Sequence, residues 1–236
     1  MAESNKKSEV GIMKNKISNY LKLAIFIASF SGVIWSFFSA EADGYSHWAT
    51  RLLYFTAQSN IWIGLTVLIL LIAPLIMTDM SPRAKNTLYA VRYVFTVSIT
   101  LTAFIFCAVL APTAHKGGYN AWTPASIITH MIVPTLAVVD FFLDTYRVKL
   151  SRSHVALSVV PPLIYLVFAS ILCILKVDFG RGDPFPYVFF NFYSPAGVFG
   201  FSSEMPYVIG SFYWMLFMLG IIIGVGAFYK KLYNKK

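Results

Sequence analysis

The sequence predicts an all-α integral membrane protein, a bundle of six transmembrane helices with both termini in the cytoplasm, and three observations carry that prediction. The chain of 236 residues is 58% hydrophobic and only 12% charged, whereas about a quarter of the residues of a soluble domain are charged. Six apolar stretches, 21–40, 53–77, 89–111, 124–145, 156–177 and 207–229, are each long enough to cross a hydrocarbon core of ~30 Å, which takes ~20 helical residues. Basic residues gather at alternate connections. None of the stretches alternates as a barrel strand does, and an open strand edge in lipid leaves backbone groups unpaired, so helix is the remaining solution.

Taken in order, residues 1–20 are polar and lysine-rich without apolar periodicity, which predicts a mobile cytoplasmic tail. The first span has a basic leader, an apolar run from Leu23 to Phe38 and then Ala40-Glu41-Ala42, a sequence that imitates a secretory signal with a small-residue cleavage site. The length of the run and Trp35 within it favour an uncleaved helix. The third span runs into a loop over 112–123 containing Pro112, Gly117, Gly118 and Trp122. Pro161-Pro162 near the start of the fifth predicts a kink that frees the carbonyls of Leu157 and Ser158. The longest connection, 178–206, holds Pro184, Pro186 and Pro195 among many aromatics; it reads equally as a lid or re-entrant segment and as an aromatic belt at the interface. Residues 21–230 form the transmembrane domain, and 231–236 are a second basic tail. There is no internal repeat, so an inverted-repeat transporter design has no support.

The net charge of +9 would suit nucleic acid, but its distribution assigns it to topology. Lys6, Lys7, Lys14, Lys16 and Lys22 precede the first span; Arg83, Lys85 and Arg92 lie between the second and third. Arg147, Lys149 and Arg152 lie between the fourth and fifth, and Lys230, Lys231, Lys235 and Lys236 follow the last. Of 19 basic residues, only Arg51, Lys116, Lys176 and Arg181 fall on the other side. Positive charge inside places both termini in the cytoplasm of a cell-membrane protein, with the lysines near anionic lipid headgroups and no role for nucleic acid. Cys107 and Cys173 both lie towards the outer ends of their helices, where a bond is possible and buried free thiols are the commoner reading.

Ionisable groups inside lipid are costly, so the few present are candidates for function. His130 lies about two turns inside the fourth span, followed by Pro134, which has no amide hydrogen to return to the His130 carbonyl. In the second span Thr56, Ser59 and Asn60 share one helical face, ended by Ile63 and with Gly64 leaving room beside it. Both spans enter from the outer side, which puts Thr56 and His130 at similar depth. A hydroxyl beside an imidazole is the minimum arrangement for base-activated attack on an acyl group, with Asn60 or Ser59 as oxyanion donors. Taken alone, the polar stripe reads more often as interhelical packing. Asp140 lies too far along the helix to touch His130 and pairs with Arg92 as a structural clamp; Asp144 is close by. His47, His115 and His154 are loop residues, and the histidines lack metal-ligand spacing.

Several strings together resemble a known family. Phe55-Thr56 followed by Gln58-Ser59-Asn60, the His130 string with its proline and then Asp140, and the aromatic run from Tyr187 to Phe192 are similar to the androgen-induced-gene and androgen-dependent TFPI-regulating protein family, which has a large bacterial branch. The resemblance covers the chain from about residue 20. It implies a multipass membrane threonine hydrolase that cleaves fatty acid esters of hydroxy fatty acids, with Thr56 as nucleophile and His130 as base. The family's tyrosine-proline-phenylalanine string is replaced here by Pro186-Tyr187-Val188-Phe189.

The expectation is therefore an intramembrane lipid ester hydrolase without metal or organic cofactor, whose partners are a fatty acyl ester and membrane lipids. Two other classes fit the residues: a carrier or channel with His130 as a proton-coupled gate, and a ligand-binding or scaffold protein whose polar cluster is structural. Apart from the resemblance, hydrolase and carrier are level.

Overall fold

The structure, a computed structural model, describes residues 2–76, 80–114, 120–180, 182–204 and 207–235, with side chains from Glu9 onward. His115, Lys116, Gly117, Gly118, Arg181, Pro206 and Lys236, and the side chains of Lys6 and Lys7, lie outside the described residues. Six helices are each long and apolar enough to cross a membrane: α1 (Ala2–Phe38, its span Glu9–Phe38), α2 (Phe55–Ile76), α3 (Pro82–Thr113), α4 (Pro124–Leu143), α5 (Arg152–Ile174) and α6 (Ser211–Lys235). The chain is a multipass membrane protein. Among the described residues there is no strand, only a bridge between Phe201 and Ile209.

Both chain ends lie at one end of the bundle. Asn15 bonds Thr145, the Asn234 amide bonds both backbone groups of Leu150 at 3.1 and 2.8 Å, and the Tyr233 hydroxyl donates to the Tyr146 carbonyl at 3.1 Å. Helix α1 starts at Ala2, inside the segment that reads as a mobile tail. Lysine and glutamate are good helix formers, and Ser18, within that segment, has a buried partner further along the chain. Helix α3 starts ahead of its apolar run because Ser81 caps it, accepting from the Ala84 amide at 3.3 Å, with a proline in the first turn.

Helices α1 to α4 pack together with α3 central, and α5 and α6 lean on α3. Close approach on α1 is set by small residues. A Cβ on Gly32 would lie 2.8 Å from side-chain carbons of Ile128 and Thr129, and one on Gly64 would lie 3.1 Å from Ser29 and Phe30, so the room beside the α2 polar face is filled by α1. Helix α5 is broken at Ser158–Val159 into Arg152–Leu157 and Val160–Ile174, where Pro161-Pro162 predict the kink. Leu75, Ile76, Ile174 and Leu175 stay exposed, as helices bathed in lipid require.

At the terminal end a closed charge cluster locks α1, α3 and α4. Arg92 reaches Asp140 and Asp144, each at 2.5 Å. Lys22 lies 2.9 Å from Asp144 and 3.4 Å from Asp140, and the Ser18 hydroxyl donates to Asp140 at 2.5 Å. Two cations face two anions, all buried. Arg92 and Asp140, paired in the sequence reading, are in contact here, with Asp144 sharing the guanidinium. Lys22, a topology signal by sequence, is a buried structural cation. Cys107 is exposed and Cys173 buried, and both are free thiols.

Candidate functional site

Two proline-linked distortions shape the opposite end of the bundle. In α4 the Val133 amide bonds back five residues to the Ile128 carbonyl, and in α3 the Ala111 amide bonds to Phe106, so each helix carries one π-turn, over Ile128–Ile132 and Phe106–Leu110. Each turn stands directly before Pro134 or Pro112, residues that cannot donate to the ladder, and π-turns inside α-helices are frequent at functional sites. The wide turn releases the Thr129 carbonyl from Val133. The Asn60 side-chain amide takes it at 3.1 Å, while also donating to the Thr56 carbonyl at 2.8 Å. Asn60 thus ties α2 to the distorted turn of α4.

His130 sits in that turn and is held on three sides. Its Nδ1 lies 2.9 Å from the Ser126 carbonyl, which can only accept, so Nδ1 carries the proton. Its ring stacks on Phe106, the first residue of the other π-turn, at 4.1 Å and 18°. Nε2 is left with a free lone pair, and the Thr56 hydroxyl donates to it at 3.1 Å. The Tyr187 hydroxyl approaches Thr56 Oγ1 at 3.5 Å from the long loop.

Thr56 stands where two cavities meet. One, the more polar of the two, is about 320 Å³ and lies among the loops at this end, walled by His130, Ser126, Tyr54, Arg51 and Asn120 together with apolar side chains such as Val33 and Phe185. The second is apolar, about 90 Å³, and lies between α2, α3, α5 and α6, walled by residues such as Leu101, Leu166, Met215 and Met218. Thr56 and Tyr187 line both. Beyond Val160, α5 has hardly any close backbone contact with α6, and the apolar cavity occupies the space between them.

The long loop has a buried part and an exposed part. Phe179, Phe189 and Phe190 are buried, the last two in the wall of the apolar cavity, whereas Tyr193, Phe199 and Phe201 are exposed. The Tyr54 hydroxyl, at the head of α2, donates to the Phe179 carbonyl at 2.7 Å. Gly180 follows at φ +113°, a conformation that suits glycine, and a Cβ there would meet the Tyr45 ring at 2.3 Å. The polar cavity is also braced by Arg51, which pairs with Asp43 and lies 3.8 Å over the Tyr45 ring.

Of the residues singled out by sequence, Thr56 and His130 come together. Ser59 and Asn60 do not join them in the cavities: Ser59 bonds the Thr56 carbonyl at 3.2 Å and the Thr102 hydroxyl at 2.9 Å, and neither side chain has exposed surface. Their donors are spent on backbone and on α3, which removes them as oxyanion donors and makes them braces. Arg92 and Asp140 belong to the far end. Of the remaining histidines, His47 Nδ1 accepts from the Ala49 amide and His154 Nδ1 from the Ser151 amide, each stabilising a local turn. Among the described residues no three His, Cys, Asp or Glu side chains come together as metal ligands. Sequence reasoning misses Phe106; Pro112, which stands to it as Pro134 stands to Ile128, is the signal that finds it. Comparison with protein-family models, curated proteins and solved structures finds no match to the chain.

Proposed function

We propose that the protein is an intramembrane hydrolase of lipid carboxylic esters, of the kind in which a fatty acid is esterified to a hydroxy fatty acid. The observation that carries this reading is the Thr56 hydroxyl 3.1 Å from an imidazole nitrogen with a free lone pair, at the junction of an apolar and a polar cavity. An acyl chain would lie in the apolar cavity, entering from lipid between α5 and α6, and the alcohol half and water would occupy the polar one. The resemblance to the threonine hydrolase family implies the same two residues as nucleophile and base. The terminal end carries most of the positive charge, which supports cytoplasmic termini and a site near the outer leaflet of the plasma membrane.

Thr56 Oγ1 attacks the ester carbonyl carbon as its proton passes to His130 Nε2, and the carbonyl π electrons move onto oxygen. Collapse of that intermediate breaks the bond to the alcohol oxygen, which takes the proton back from His130 and leaves as the alcohol. Water then attacks the acyl-threonine, gives its proton to His130, and the fatty acid departs as Thr56 regains its hydrogen. The Ser126 carbonyl holds the Nδ1 proton throughout and stabilises the imidazolium. Phe106 keeps the ring in plane.

The test is labelling of detergent-solubilised protein with a fluorophosphonate, followed by peptide mapping. The adduct is expected on Thr56, lost in Thr56→Ala, retained in Thr56→Ser, and slowed by ~10²–10⁴-fold in His130→Ala. Folded wild-type protein that takes no label at Thr56 would sink the proposal.

A further inference from the structure

An ester carbonyl attacked by Thr56 turns its oxygen into an oxyanion, and catalysis needs preorganised donors at ~2.7–3.1 Å from that oxygen. With Ser59 and Asn60 committed elsewhere, two phenols remain beside the nucleophile. Tyr187 reaches Thr56 Oγ1 at 3.5 Å. Tyr165, on α5, is 4% exposed, and its buried hydroxyl has no acceptor for its proton although it stands in the wall of the apolar cavity with Thr56 and Tyr187. A buried hydroxyl without an acceptor is unfavourable, and such a group in the same cavity wall as a nucleophile points to a ligand oxygen.

Both phenols also share an electrostatic setting. Each lies beside the Phe55 amide, and Tyr187 beside that of Thr56 as well. These amides head α2 ahead of its first ladder bond, from Gln58 N to Tyr54 O at 3.2 Å, where the helix presents unsatisfied donors and the positive end of its dipole. A phenol oxygen facing that end has its O–H turned and polarised away from it, towards the cavity. Edge-to-face packing of Tyr54 on Tyr187 at 5.6 Å, and of Phe190 on Tyr165 at 6.0 Å, fixes both rings. Burial pushes the Tyr187 hydroxyl up to about 12, so at neutral pH it keeps the proton it would donate.

We infer that Tyr187 and Tyr165 form the oxyanion hole, their hydroxyls donating to the ester carbonyl oxygen as it becomes negative, with the head of α2 polarising both. The inference rests on the proposed attack by Thr56. In the resting site the Tyr187 hydroxyl faces Thr56 Oγ1, and the substrate carbonyl takes that bond over. Tyr165 gains an acceptor for its proton only when substrate is present.

The experiment measures kcat and KM on a p-nitrophenyl acyl ester, and the second-order rate of fluorophosphonate labelling at Thr56, for the wild type, Tyr187→Phe, Tyr165→Phe and the double variant, with melting temperatures alongside. Each single variant is expected to lower kcat and the labelling rate together by ~10²-fold, with KM and melting temperature nearly unchanged. Phe variants that label and turn over at the wild-type rate overturn the oxyanion assignment and leave Thr56 standing as nucleophile. Wild-type protein that does not label at Thr56 overturns both readings. If Tyr187→Phe fails to fold, difluorotyrosine at 187 keeps the shape and lowers the phenol pKa. It is then expected to bring a fall in kcat with rising pH into the neutral to alkaline range, and a profile superposing on the wild type overturns the assignment.

Discussion

Replacing Arg92 by methionine removes a guanidinium that lies 2.5 Å from each of two buried carboxylates, Asp140 and Asp144. Lys22 remains between them at 2.9 and 3.4 Å, so one negative charge is left without a counter-charge. The Asp140 side chain has no exposed surface and that of Asp144 only 6%, so water does not take over. Breaking such a pair costs ~3–5 kcal/mol. At ~2–4 °C per kcal/mol for a chain of this size, the melting temperature should fall by ~6–20 °C. The double variant Arg92→Met/Asp140→Asn restores neutrality around Lys22 and Asp144 and should recover more than half of that loss. Thermal unfolding in detergent, followed by the fluorescence of a dye that reports exposed cysteine, is the assay. Because Asp140 lies ten residues from His130, ~15 Å along the helix, labelling of Thr56 below the melting temperature should be the same in all three proteins. A single variant melting within ~2 °C of wild type, or a double variant no better than the single, would refute the buried-charge argument.

Two further outcomes follow from the packing. Gly32→Ala places a methyl 2.8 Å from Ile128 and Thr129; overpacking of this kind costs ~1–3 kcal/mol, and because the push falls on the turn that carries His130, Thr56 labelling should slow even well below the melting temperature. Met218→Trp fills the apolar cavity, so KM for a decanoyl p-nitrophenyl ester should rise several-fold while that for the acetyl ester stays put. Equal effects on the two esters would remove the acyl chain from that cavity.

Much of the fold is legible in the sequence because lipid admits so few solutions. The fourth span reads as 124–145 and folds as Pro124–Leu143; the second reads as 53–77 and folds as Phe55–Ile76. Boundaries drift where polar residues continue a helix past the hydrocarbon, as at Ala2 in α1 and Pro82 in α3, since apolar length measures the membrane and not the helix. Within the site, Thr56 and His130 are found by the cost of an imidazole in lipid and by depth. Of the two readings the sequence leaves for Ser59 and Asn60, their bonds to backbone and to Thr102 fit interhelical packing, because sharing a face with Thr56 does not say whether that face meets a cavity or a neighbouring helix. Asn60 turns to α4 for a reason no periodicity contains: the carbonyl it satisfies becomes free only once the π-turn forms.

The sequence by itself determines that this chain spans a membrane six times and which end holds most of its positive charge, because those properties follow from runs of apolar residues and counts of lysine and arginine. Only the tertiary structure decides that Lys22 is a buried counter-ion, that Phe106 backs the imidazole, and that Tyr165 and Tyr187 line one cavity with Thr56. Each of those depends on contacts between helices far apart in the chain. Their rotation about their own axes is set by close packing at Gly32 and Gly64 and by the two proline-linked turns.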